Sequence, residues 1–270
     1  MSFVLCRQEH VTHPYYIEHL GIHIYSSQEL CYIIYHHPFL VLDDFCTSQL
    51  LEFISDELGM GFLASKMERW LNNNENSDDI YLMFLQECGY YNPSEISQWK
   101  QKIAGLRKLP KEEYKKRKAD YFFNCRQYGK AIAVYESILD GMDTQKPDPV
   151  FLGKVWNNLG SSYARVFQFE KAMDAFEHAW MILKEKEVLK RMYLLTRLSS
   201  SMEWKGRYRE GTPAPWKSQW EQELAKAQKE AKDSGDLRKI DEMFRGSSEE
   251  RLQKAGQMVQ QWKREYRGMA

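Results

Sequence analysis

The chain has 270 residues, 43% hydrophobic and 28% charged, an ordinary globular balance that gives one large domain or two small ones a substantial buried core. Its formal net charge is zero, so no global field draws it to nucleic acid or to an anionic membrane. No stretch approaches membrane-spanning length, and five widely separated cysteines (Cys6, Cys31, Cys46, Cys88, Cys125) suggest neither a zinc site nor a disulfide framework.

The first region, up to about Glu75, is apolar and acidic. Between Arg7 and Lys66 there is no Lys or Arg, whereas Glu9, Glu18, Glu29, Asp43, Asp44, Glu52, Asp56 and Glu57 all fall there. A DNA-binding head needs the opposite sign to neutralise phosphates. The β-formers Tyr15-Tyr16-Ile17 and Ile22-His23-Ile24-Tyr25 flank Gly21 and predict a small hairpin. Ser26 and Glu29 have capping-box spacing and open a helix through Leu30, Ile33 and Ile34 that stops near Pro38. A second helix starts near Thr47 or Ser48 and ends at Gly59. A third runs from Gly61 to Trp70, with Phe62, Met67 and Trp70 expected on one face. Asn72 to Asp78 reads as a polar loop.

From Asp78 to Leu198 the sequence is helix after helix. Asn92-Pro93 places an N-cap before a proline at the first helical position, and Leu109-Pro110 punctuates the next start. Then the sequence repeats. With Ala119 set on Gly160, Phe122 meets Tyr163, Tyr128 meets Phe169, Ala131 meets Ala172, Tyr135 meets Phe176 and Ile138 meets Ala179. Trp156 and Leu159 precede the glycine of the second copy. Small residues let two antiparallel helices approach, and bulky ones fill the space between successive pairs. A single pair cannot bury its apolar face alone, so such pairs stack.

This pattern resembles the tetratricopeptide-repeat (TPR) family, in which a helix bearing W…LG…Y is followed by one bearing A…F…A. Trp156 to Ala179 fits at each of those positions, and Ala119 to Ile138 fits from its alanine onward. The copies stand 41 residues apart (Ala119 to Gly160) instead of roughly 34. The excess falls in the polar loop Asp140 to Pro149. Asp78 to Leu106 reads as a degenerate pair. A helix from Glu187 to Leu198, with Leu189, Met192, Leu195 and Leu198, supplies a third layer or a cap.

The resemblance implies a concave groove lined by the first helix of each pair and open to a peptide or partner helix. The matching positions are Lys116, Asp120 and Asn124 in the first repeat, and Lys154, Asn157, Asn158, Ser161 and Arg165 in the second. Asn158 stands where a peptide-clamping subfamily often has an asparagine that bonds ligand backbone, and Lys116 is placed to meet a carboxylate. That subfamily has asparagine where this chain has Asp120, whose charge repels a C-terminal carboxylate. The subfamily's Lys-x-x-x-Arg is also missing from Lys190-Arg191-Met192-Tyr193-Leu194. A chaperone-type C-terminal tail is therefore disfavoured. The bland alternative for all these polar residues is a solvated helix face.

Catalytic chemistry finds little support. The pairs His10/His13 and His19/His23 lack a carboxylate or cysteine at ligand spacing. His36-His37 fits a helix C-terminus, and Asp43-Asp44 precedes a helix start. None of the cysteines lies in a nucleophile motif, and phosphate-loop, dinucleotide, G-x-S-x-G and H-E-x-x-H signatures do not occur. The basic run Lys111, Lys115, Lys116, Arg117, Lys118 is broken by Glu112, Glu113 and Asp120 and reads as a solvated face.

From Trp204 onward the sequence is polar, with a turn at Gly211–Pro215 and two or three candidate charged helices over Trp216–Ser234, Asp236–Phe244 and Ser247 to about Arg267. Their apolar stripe is narrow (Trp220, Leu224, Ile240, Phe244, Leu252, Val259, Trp262). Trp216, Trp220 and Trp262 are candidate anchors for docking this tail into the groove.

The sequence thus predicts a mainly α protein: a TPR-like α-solenoid of antiparallel helix pairs with a small N-terminal module (β-hairpin plus helices) and a charged helical C-terminal tail. The expected domains are 1–75, 78–203 (clearest copies 114–139 and 153–183) and 204–270. The expected function is a non-enzymatic, cytoplasmic scaffold or adaptor that binds a protein or peptide, without cofactor, metal, nucleic acid or membrane. Two alternatives were weighed. One is a transcriptional or signalling regulator with a TPR sensor region. The other is an unfamiliar enzyme using His13, His23 or Asp44.

Overall fold

A computed structural model describes residues 11–18, 20–43, 45–73, 77–141, 148–199 and 202–269. His10, His19 and Asp44, together with most of the loop between Asp140 and Pro149, lie outside the described residues. The chain is mainly α and divides into two compact units, residues 1–114 with 264–270, and residues 115–263.

In the first unit, β1 (Tyr15–Ile17) pairs antiparallel with β2 (Ile22–Ile24), Tyr16 opposite His23. Gly21 takes φ +68° in the connecting turn, a conformation that favours glycine. This is the predicted hairpin. Helix α1 (Ser27–His36) starts where Ser26 Oγ accepts from the Glu29 amide at 3.1 Å. The Glu29 carboxylate accepts from the amide of Tyr25, one residue earlier than a reciprocal box requires. Pro38 ends α1 as expected but also opens a short helix, α2 (Pro38–Leu42), which buries Phe39, Leu40 and Val41. Thr47 caps α3 (Ser48–Glu52), which widens into a π-helical turn over Phe53–Glu57 and stops at Gly59.

Helix α4 (Gly61–Asn72) corrects one expectation. Its buried face carries Leu63, Ala64 and Met67, while Phe62 is 83% exposed. Phe62 and Met67 are five residues apart, about 140° round a helix of 3.6 residues per turn, so they cannot share a face. Helix α5 (Ser77–Cys88) and α6 (Pro93–Arg107) complete the unit. Asn92 and Glu95 form the reciprocal capping box before Pro93. Arg107 grips Asp78 with two hydrogen bonds of 2.7 and 2.6 Å, and the buried Trp99 indole donates to the Ile34 carbonyl at 3.1 Å. Ile80, Tyr81, Phe84, Leu85, Ile96 and Ile103 share one core with α1.

Helix α7 (Lys111–Asn124) leads into the second unit, followed by α8 (Tyr128–Asp140), α9 (Pro149–Arg165), α10 (Phe169–Leu183) and α11 (Lys186–Leu198). The aligned residues Ala119, Gly160, Phe122, Tyr163, Ala131, Ala172, Tyr135, Phe176, Ile138 and Ala179 are all buried. A Cβ added to Gly160 meets the Phe176 ring at 2.8 Å and the Ala172 carbonyl at 3.1 Å, so α9 and α10 approach too closely for any other residue without displacement. The turns repeat as well. Arg126 (φ +60°) and Phe167 (φ +61°) end the first helices in the left-handed region, and the next amides, of Gln127 and Gln168, bond to Phe122 and Tyr163 carbonyls at 2.9 and 3.0 Å.

Beyond α11 come α12 (Gly206–Gly211) and α13 (Ala214–Lys232). Trp220 is fully buried on α11, its ring 5.5 Å from Tyr193. Lys190 pairs with Glu223 at 2.5 Å and Tyr193 donates to Glu221. Helix α13 is thereby anchored on α11 through these contacts. Helices α14 (Gly235–Phe244) and α15 (Ser248–Met269) follow, with Phe244, Leu252, Val259 and Trp262 exposed. Ser247 and Glu250 form the predicted reciprocal cap of α15.

Candidate groove of the helical repeats

A helix of the TPR type presents one stripe to its pair partner and another to the concave side. On α7, α9 and α11 the second stripe borders a cavity of about 740 Å³ within the second unit. Asp120, Asn124, Asn157, Asn158, Ser161 and Arg165 line it, so six of the eight positions marked in the sequence come together. Lys116 reaches the same place through Asp120, its ammonium 2.7 Å from the carboxylate. Lys154 is exposed on α9 outside the lining.

The polar side chains form a ladder that crosses three layers. Asp120 on α7 accepts from Lys116, from the buried Tyr135 hydroxyl of α8, and from Asn158 Nδ2 of α9 at 2.9 Å. Asn157 Nδ2 donates to Asn158 Oδ1 at 3.1 Å, and Arg191 of α11 donates to Asn157 Oδ1. Ser161 and Ser162 donate back to the carbonyls of Asn157 and Asn158, both at 2.9 Å. Burial, and then the hydrogen bond to Asp120, push the Tyr135 phenol well above its ordinary value, so it stays a neutral donor. Lys116 and Asn158, the two groups placed to clamp a ligand, are both engaged by Asp120.

Two residues that sequence reasoning did not assign to the groove matter here. Arg191 lines it even though the Lys-x-x-x-Arg pattern is missing. Leu198, taken as a member of an apolar stripe, is 63% exposed at its edge beside Leu194 and Leu195. The spacing of Arg191, Leu194, Leu195 and Leu198 is the only sequence signal, since steps of three and four keep them on one helix face. Arg165 is exposed and makes no hydrogen bond or ion pair with any described residue.

Among the described residues, the C-terminal tail supplies no lining residue. Trp216 and Trp220 pack in the core with α11, and Trp262 is 53% exposed. The indoles of α13 pack against α11 beside Tyr193 instead.

The catalytic candidates are spread out. His13 bonds Glu57 at 2.8 Å, and the His23 ring lies tilted against Tyr16 with centroids 4.9 Å apart. Burial, and then the nearby Lys102, lower the pKa of His36; burial, and then the neighbouring His36 and Lys102, lower that of His37. Among the described residues, no group of three His, Cys, Asp or Glu side chains is placed to hold a metal, and no helix is long and apolar enough to cross a membrane.

No family model matches the sequence, and no curated protein does. A solved chain described as MamA RS-1 ArsTM double mutant is similar at 16% identity with a TM-score of 0.32, over 75% of this chain and 96% of that one. So loose a superposition carries nothing about this chain's function. What the chain itself displays is a repeat of two helix pairs 41 residues apart with matched buried positions and matched turns, and α11 packed beyond them.

Proposed function

We propose that this chain is a non-enzymatic scaffold or adaptor that binds a segment of a partner protein in the groove of α7, α9 and α11. One observation carries the reading. A concave surface joins an ordered polar floor to Arg165, whose side chain is unpaired among the described residues, and to an exposed apolar edge at Leu198, a mix of charge and apolar surface that a partner segment can complement. Partner binding covers the apolar edge and satisfies the cation. Catalysis by the same groove is disfavoured because its single carboxylate is neutralised by Lys116 and held by two further donors.

The test is capture from native lysate with full-length wild type and with Arg165→Glu/Leu198→Asp. Both residues are exposed, so the double variant should melt within about 0.5 kcal/mol of wild type. A partner retained by wild type and lost by the variant is the expected result. Partners retained equally by both proteins would move the binding site elsewhere.

A further inference from the structure

Resting on that reading of the groove, we infer that its occupant is a partner's α-helix, bearing an Asp or Glu beside an apolar stripe, and not an extended segment. An extended ligand brings unpaired backbone amides and carbonyls, and each must find a partner when desolvated. The centre of the groove floor has much of its capacity committed to itself. Asn157 and Asn158 are bonded to each other, Asn158 also to Asp120 and Asn157 to Arg191, while the Ser161 hydroxyl is turned onto its own helix. A helix arrives with its backbone satisfied internally and asks only for side-chain contacts.

The charge pattern selects among helices. Asp120 is compensated by Lys116 in the same ladder, which leaves Arg165 and the outer donors of Arg191 as the groove's net field. Leu194 and Leu198 stand on the face of α11 that carries Arg191. The complementary surface is an apolar stripe at helical spacing with a carboxylate flanking it. Lys116 and Asn158, the groups that would clamp a terminal carboxylate in the peptide-clamping arrangement, are already held by Asp120.

The experiment pans two display libraries against the full-length protein, one of random residues on the face of a helical scaffold and one of linear peptides. Enriched sequences are synthesised and measured by fluorescence anisotropy with wild type, Arg165→Glu and Leu198→Asp. Helical binders rich in Asp or Glu, weakened about tenfold by Arg165→Glu and partly rescued when their carboxylate is changed to lysine, support the inference. Helical binders lost only with Leu198→Asp overturn its charge half. Linear, non-helical binders sensitive to both variants overturn the helix and leave the groove as the site. Binders indifferent to both variants overturn the groove reading itself.

Discussion

Asp120→Ala should be the most damaging single change in the groove, since it strands donors on three helices at once. Tyr135 is 1% exposed, so its hydroxyl depends on the Asp120 carboxylate for its acceptor. A buried donor left without an acceptor costs about 1–3 kcal/mol. Lys116, its side chain 15% exposed, loses an ion pair at 2.7 Å, and a partly exposed pair of this kind contributes about 0.5–1 kcal/mol. Asn158 loses one ordinary hydrogen bond but can reach water. Together these give about 3 kcal/mol, a large fraction of a typical stability of roughly 5–15 kcal/mol. Asp120→Asn keeps an acceptor oxygen and forfeits the charge, for a cost of about 1 kcal/mol.

Urea unfolding checks both numbers through the midpoint, provided the slope is unchanged. The decisive arm is a cycle with Tyr135→Phe. Without the phenol hydroxyl nothing buried is stranded, so Asp120→Ala should become milder by about 1–2 kcal/mol. An equal cost with and without that hydroxyl would show that the ladder does not tie the layers together.

Three further outcomes follow from packing and ionisation. Gly160→Ala should destabilise by about 1–2 kcal/mol, because overpacking against Phe176 and the Ala172 carbonyl outweighs the gain in helix propensity. Gly105→Ala, where a Cβ meets nothing within 4 Å, should stabilise by about 0.5–1 kcal/mol, and thermal melts of the pair give the comparison. Trp220→Ala should cost about 3–5 kcal/mol and open the α12–α13 region to limited proteolysis while α9 and α10 stay protected. Burial, and then hydrogen bonds to Glu136 and Glu221, push the Tyr163 and Tyr193 phenols up to about 12. The unfolded chain releases these protons first, near the ordinary tyrosine value of 10.0, so their contribution is intact below that pH and fades as pH rises toward 12. Unfolding against pH, read with phenolate absorbance, should show loss of stability only in that window.

Much of the second unit was legible because its repeat is carried by side-chain size. Ala119, Gly160, Ala131 and Ala172 mark close approaches, and Tyr135 and Phe176 mark the filler between layers; these are properties of single residues at fixed spacing. Helix starts at Asn92, Ser247 and Ser26 were legible for the same reason, since a cap is a local hydrogen bond. Conformations decided by tertiary packing were not. Arg126 and Phe167 hold the left-handed turns without glycine, the π-helical turn at Phe53–Glu57 has no composition of its own, and α2 hides in an apolar run after Pro38. In the groove, sequence spacing brought the right residues to one face but said nothing of their partners. Asp120 looked like an obstacle to a ligand carboxylate, and its bonds to Lys116, Tyr135 and Asn158 make it the centre of the floor instead. Periodicity likewise placed Leu198 on an apolar stripe without showing that the stripe outruns its cover at the end of α11.

The most direct test of the account is photo-crosslinking in living cells with p-benzoylphenylalanine introduced in place of Leu198, and separately in place of the exposed Phe244 on α14. The account predicts a discrete crosslinked partner from position 198 that disappears when Arg165→Glu is added. A partner crosslinked from position 244 and never from 198 would contradict it.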